Sequence, residues 1–277
     1  MRRVFFGLLL IVVQNLWADG PVRRPRILGV AHMAFFVSDL QKTRAFYKDF
    51  LGFAEVYTLK GKDGTERTAM LKINDDQYIE LTVDSPKTDG RLSHVAFFTD
   101  DLSAMREYLA SMGVAVPEKI DKGRAGNLAF TISDPEGHTL ELMQYMPESW
   151  TSREKGEYMP ESRIATRIEH IGVTAQDEEK EREFYIQVLG FIDQKKPQVP
   201  EGNECIEFGV YKKTPTPEFL GSRNHLCLLA HPGVEKVVEI LRGRNPAIPV
   251  ETHVLQRTNW HANIIDPDGT RIELVDR

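Results

Sequence analysis

The stretches "HMAFFVSDLQKTRAFYKDFLGF" (32–53) and "HIGVTAQDEEKEREFYIQVLGF" (170–191) align without a gap at an offset of 138 residues. His32 falls on His170, Asp39 on Asp177, Phe46-Tyr47 on Phe184-Tyr185, and Leu51-Gly52-Phe53 on Leu189-Gly190-Phe191. Such self-similarity is the mark of one supersecondary unit used more than once. Outward from it, "SHVAFFTDDLSAMREYLASMGV" (93–114) parallels "NHLCLLAHPGVEKVVEILRGRN" (224–245). The closing phrases "SDPEGHTLELM" (133–143) and "IDPDGTRIELV" (265–275) match in turn. The chain therefore reads as four units, beginning near Ile27, Leu92, Ile168 and Asn224.

Each unit opens with a short apolar run such as "VAHMAFFV", the pattern of a buried strand. An amphipathic segment follows. In "LQKTRAFYKDFLG" the apolar Phe46, Phe50 and Leu51 fall at helical spacing, and Gly52 is a natural C-terminal stop. "FAEVYTL", "RTAMLKI" and "YIELTV" then read as strands, and "DPEG" and "DPDG" supply turn chemistry. The expected order is β-α-β-β-β in every unit, an α+β fold. The units group into a first domain over 27–145, a polar linker over 146–166 around the stretch "YMPESWTSREKGEYMPES" (145–162), in which "YMPES" is written twice, and a second domain over 167–277.

Length and composition suit a soluble globular chain with a sizeable core. The formal charge of −6 and the lack of a Lys/Arg cluster argue against nucleic acid as a partner. Arg2-Arg3 precede the apolar run "VFFGLLLIVV" (4–13), and "NLWADG" offers a small-residue cleavage point after Ala18, so residues 1–18 read as a secretory signal peptide. That run is short for a membrane span. The expected location is secreted or periplasmic, with no stable membrane insertion after cleavage. Only Cys205 and Cys227 follow, too few for a disulfide framework, and nothing in the sequence makes them face each other.

Four histidines head the opening strands: His32, His94, His170 and His225. A Glu in or beside the last strand of the unit follows each. The spacings are 48 residues from His32 to Glu80, 47 from His94 to Glu141 and 48 from His225 to Glu273. In the third unit both Glu207 ("CIEFG") and Glu218 ("PEFLG") are candidates. The 138-residue offset carries Glu80 onto Glu218, which is taken as the member, although Pro215 and Pro217 make an irregular strand there. One strand His is ordinarily a satisfied core residue, but four His/Glu pairs at near-constant spacing are hard to attribute to packing. Buried carboxylates are costly unless paired or metal-bound. Imidazole and carboxylate donors suit a divalent transition metal (Ni, Co, Mn, Zn or Fe), and two His with two Glu leave open positions for water or two substrate oxygens.

The His-headed strands, the "FYKDFLGF" and "FYIQVLGF" helix ends and the "DPxGxxxEL" closings resemble the vicinal oxygen chelate superfamily, which includes glyoxalase I, bleomycin-resistance proteins and type I extradiol dioxygenases. The resemblance runs from about Ile27 to the C-terminus. It implies paired modules curled into two open, barrel-like halves, each around a metal. The ligand sets would be His32, Glu80, His94 and Glu141 in one half, and His170, Glu218, His225 and Glu273 in the other, unless units pair out of order. It also implies a small-molecule substrate with vicinal oxygens, in a monomer or homodimer.

Three functions follow from the resemblance. The preferred one is a glyoxalase-I-like lyase or isomerase, in which a metal acts as Lewis acid and Glu141 or Glu273 serves as general base. The second is Fe(II) extradiol ring cleavage in the second half, through His170, His225 and Glu273. There the family's active-site Tyr falls on Asn263 and its acid–base His on Val254, with His253 or His261 as substitutes. The third is a non-enzymatic binding or resistance protein, disfavoured because the donor residues are kept.

Overall fold

The computed structural model describes residues 22–83, 91–256 and 259–276; the leader expected over 1–18 lies outside them. No described helix is long and apolar enough to cross a membrane.

The first half consists of β1 (Ile27–Val37), α1 (Leu40–Ala45), β2 (Ala54–Lys60), β3 (Glu66–Lys72), β4 (Tyr78–Val83), β5 (Leu92–Thr99), α2 (Leu102–Ser111), β6 (Asp121–Lys122), β7 (Leu128–Ser133) and β8 (Thr139–Gln144). After α3 (Trp150–Arg153) come β9 (Ala165–Ala175), α4 (Glu178–Glu183), β10 (Cys205–Val210), α5 (Pro217–Arg223), β11 (Leu226–Ala230), α6 (Val234–Arg244), β12 (Glu251–Gln256), β13 (Asn259–Ile265) and β14 (Arg271–Val275). One sheet has the order β2-β3-β4-β1-β5-β8-β7-β6, the other β10-β9-β11-β14-β13-β12. Units pair in sequence order, first with second and third with fourth.

The same local chemistry shapes each repeat. Asp39 and Asp177 cap α1 and α4, their carboxylates accepting from Lys42 N at 3.1 Å and Lys180 N at 3.2 Å. Both helices widen into a π-turn, over Phe46–Phe50 and Phe184–Val188, which seats Tyr47 and Tyr185 in the core. Gly52 and Gly190 follow at φ of +84° and +75°, a conformation that ends the helix without a Cβ penalty.

The first, second and fourth units hold the expected strands, whereas the third is abbreviated. Between Phe191 and Cys205 there is no hairpin matching β2–β3, only the bridges Ile192–Gln198 and Gln198–Cys205. β10 instead pairs directly and in parallel with β9, as β4 does with β1.

One apolar core runs through both halves. Phe97 meets Phe191 edge-to-face at 5.5 Å, and the Tyr108 hydroxyl donates to Val188 O at 2.9 Å. The buried Gln77 ties β1 to β9, donating to Val30 O at 3.3 Å and accepting from Ile168 N at 2.8 Å. The connecting segment is also anchored. Trp150 is buried and packs edge-to-face on Tyr78 at 5.1 Å, and Tyr78 stacks on the His32 ring at 4.3 Å.

Cys205 and Cys227 are both free and lie on opposite sides of β9, each in register with His170. Strands two apart in a sheet are about 9–10 Å away from each other, beyond disulfide reach.

Candidate metal centres

Strand register assembles the clusters. On β1 and β5 the pairing is reciprocal: His32 lies opposite Ala96, and His94 opposite Ala34. Each histidine thus faces the residue two places after the other. The neighbouring parallel strands bring Glu80 opposite Ala34 and Glu141 opposite Ala96. Because side chains alternate faces with period two, all four donors project to the same side.

The second half repeats the rule. His170 faces Cys227, and Gly172 exchanges backbone hydrogen bonds with His225. Glu273 lies opposite Cys227, and the residue opposite Gly172 is Glu207. Glu218 is therefore not the third unit's member. It sits exposed in the first turn of α5, a helix that Thr216 caps by accepting from Phe219 N at 3.2 Å. Constant spacing fails there because the missing hairpin shortens the His-to-Glu separation to 37 residues. The alternation of "CIEFG" was the usable signal, since it reads as a regular strand, whereas "TPTPEFL" carries prolines at two positions.

In the first half, His32 Nε2 stands 2.8 Å from His94 Nε2, 3.9 Å from Glu80 Oε2 and 3.5 Å from Glu141 Oε2, with His94 Nε2 to Glu141 Oε2 at 3.7 Å. Donors about 2.1 Å from a shared ion lie about 3.0 Å apart at right angles and about 3.4 Å apart in a tetrahedron. These residues fit a divalent transition metal. His94 Nδ1 contacts Ser93 Oγ at 3.1 Å, an arrangement that directs Nε2 toward the cluster. Among the described residues no Lys or Arg contacts either carboxylate. Burial accordingly pushes Glu80 up to about 7, while burial and then the Glu80 charge take Glu141 to about 8. Burial pulls His94 down to about 4 and His32 well below its ordinary value, keeping both imidazoles neutral. Among the described residues, two neutral histidines and two carboxyl groups without a cationic partner thus face one another.

In the second half the distances are equally close: His170 Nε2 to His225 Nε2 is 3.1 Å, to Glu207 Oε2 3.3 Å and to Glu273 Oε2 3.5 Å, with His225 Nε2 to Glu273 Oε2 at 3.2 Å. Here the carboxylate oxygens that face the histidines are already engaged. Lys196 pairs with Glu207 Oε2, Arg271 Nη1 stands 3.3 Å from Glu273 Oε2, and His261 Nδ1 lies 2.9 Å from Glu273 Oε1. Bonding to His170, joined by Lys196, holds Glu207 well below the usual carboxylate range. Burial acts to raise Glu273, but its bonds to His170, His225 and His261 outweigh it and hold that carboxylate low as well. Glu207, Lys196 and Arg271 were the participants that repeat spacing missed. His253 is exposed, and Asn263 lies opposite Glu273 and accepts from Arg271 at 3.2 Å.

Residues 29–142 match the Glyoxalase/Bleomycin resistance protein/Dioxygenase superfamily model. Glyoxalase I of Saccharomyces cerevisiae is 27% identical over 158 residues, covering 57% of this chain and 44% of the yeast protein. The chain thus spans under half the length of that relative. Among solved structures, the 2,3-dioxygenase LapB from Pseudomonas sp. KL28 superposes with a TM-score of 0.70 at 16% identity, over 92% of this chain and 94% of that one. The Mn(II)-bound glyoxalase from Novosphingobium aromaticivorans gives 0.68 at 18% identity, over 91% and 83%. The first half of the chain thus matches that superfamily's model, and the whole chain shares the fold of these solved structures.

Proposed function

We propose that the first half is the reactive centre of a glyoxalase-I-like lyase or isomerase, with His32, Glu80, His94 and Glu141 holding one divalent transition metal. The observation that carries this reading is the four-donor cluster whose carboxylates meet no Lys or Arg among the described residues. Similarity to yeast glyoxalase I, a relative that acts through its own longer chain, supports it. The ion would supply Lewis acidity toward two adjacent oxygens of a small α-hydroxycarbonyl substrate.

The protein's own groups do the rest. The two imidazoles hold their positions as neutral donors. Glu141, within 3.7 Å of both histidines, is the carboxylate placed to take a proton from the carbon beside those oxygens and return it to the next. Tyr78 and the buried Trp150 cover His32 and keep water from that flank. Ring cleavage in the second half is less well supported, because Arg271 stands on Glu273, the one carboxylate it would need.

The test is exchange of the substrate's α-hydrogen with deuterated solvent, followed by NMR on metal-loaded protein. Glu141→Gln should lower the exchange rate about 10²-fold or more, as expected for loss of a general base. Unchanged exchange in that variant, or catechol ring opening by the wild-type chain, overturns the proposal.

A further inference from the structure

A third cluster lies at the seam between the halves, away from both His/Glu sets. Asp134 follows β7 at the DPEG turn and is buried. Its Oδ1 accepts from His138 N at 2.8 Å, and its Oδ2 lies 2.8 Å from His138 Nδ1 and 3.3 Å from the Tyr185 hydroxyl. Glu181 enters from α4 of the other half and is also fully buried. Its Oε1 accepts from Glu136 N at 2.8 Å, but its Oε2 has no hydrogen-bond partner. Glu136 itself is occupied elsewhere, accepting from Asp177 N at 2.9 Å and from the Tyr211 hydroxyl at 3.4 Å. His138 Nε2 meets Thr174 Oγ1 at 3.3 Å.

The molecule contains its own control. At the pseudo-equivalent seam, Asp266 takes the place of Asp134 and Tyr47 that of Tyr185, the tyrosine donating to Asp266 Oδ2 at 3.1 Å. Thr43 stands where Glu181 does, and Thr270 where His138 does. Thr43 Oγ1 donates to Asp268 at 2.7 Å, and Asp266 Oδ1 accepts from Asp268 N at 2.9 Å and Thr270 N at 2.8 Å. The turn and its tyrosine bond thus form without either extra titratable group. A carboxylate put in place of a hydroxyl donor adds negative charge beside Asp134 and leaves one buried oxygen unpaired, an expensive arrangement unless a positive charge joins it.

We propose that Asp134, His138 and Glu181 hold a divalent cation that staples the β7–β8 turn of the first half to α4 of the second. One ligand atom from each of the three lies within 4.8 Å of the others, and a mixed imidazole and carboxylate set suits Zn(II) or Mn(II). The cation crosslinks the halves, so its role is structural and independent of the chemistry assigned to the first-half cluster.

The experiment compares the full chain with Glu181→Thr/His138→Thr, which copies the residues of the other seam, and with Glu181→Gln, which keeps the side-chain shape. Each is reconstituted with Zn(II) or Mn(II), desalted and counted by inductively coupled plasma mass spectrometry. Both variants should bind one equivalent fewer than wild type. That equivalent should survive His94→Ala, which weakens only the first-half set. In the His94→Ala background, metal about a hundredfold above its Kd should raise Tm by roughly 5 °C or more, and adding Glu181→Gln should abolish the rise. Equal metal counts in wild type and both seam variants would overturn the proposal, leaving a proton shared between Asp134 and Glu181.

Discussion

At the scale of single residues, the positions two after each histidine decide how closely the cluster can assemble. They are Ala34, Ala96, Gly172 and Cys227, and each lies directly beneath a facing donor. Gly172 has the least room. A Cβ there would come within 1.9 Å of His225 Nδ1 and 2.5 Å of Arg223 O, the carbonyl that His225 Nδ1 bonds at 2.9 Å. Gly172→Ala should destabilise the chain by ~1–3 kcal/mol or more through overpacking, read as a lower denaturation midpoint. A change within a few tenths of a kcal/mol would mean the imidazole can turn aside freely. Ala34, the matched position in the first half, already carries a Cβ, so the crowding belongs to the second half alone. A reader of the sequence sees a small residue at both positions. The need for glycine at one of them comes from a neighbouring strand more than fifty residues away.

At the scale of elements, the DPxG turns explain why the chain repeats that phrase. The Asp accepts the backbone amides of its own turn, and a tyrosine from the π-turn of the other half reaches it, so the turn closes itself and docks a helix. Burial raises Asp266 from 3.8 to about 6, its backbone bonds only partly offsetting the effect. Since its folded value exceeds its unfolded one, the contribution is fully present below about pH 4 and is lost as pH rises through about 6. At 1.4 kcal/mol per unit the loss is on the order of 2–3 kcal/mol. Asp266→Asn should therefore show a smaller fall in Tm between pH 4 and pH 7 than wild type. Parallel Tm profiles in the two proteins would contradict this account of the turn.

The third unit teaches the other lesson at this scale. Its helix, tyrosine and terminal glycine were all legible, because they are written in local residue types. Its glutamate was misplaced because the chain omits a hairpin, and a constant offset is blind to an omission. Only the pairing of β10 with β9 shows which glutamate faces the histidine.

At the scale of the whole molecule, the two halves hold nearly the same donors in nearly the same geometry and differ in what surrounds them. The first cluster meets no cationic side chain among the described residues, while Lys196 and Arg271 reach the second. Both are poised on the oxygens a metal would take, so the second half should stay metal-free while they remain. Lys196→Met/Arg271→Met should raise metal uptake by one equivalent, and that equivalent should disappear again with Glu273→Ala. If the wild-type chain already loses one ion with Glu141→Ala and another with Glu273→Ala, the side-chain cations do not exclude metal.

By itself the sequence determined the repeated modules, the α+β class, the helix stops, and seven of the eight His/Glu cluster positions. These features rest on residue types and short spacings, which survive in a linear string. Tertiary structure decided that Glu207 replaces Glu218, that Trp150 of the connecting segment roofs His32 through Tyr78, and that Lys196 and Arg271 reach one cluster while, among the described residues, no Lys or Arg reaches the other. Each of those depends on which strands become neighbours, and on charges brought together from distant positions. Electrostatic energy depends on distance through space, and separation along the chain does not reveal it.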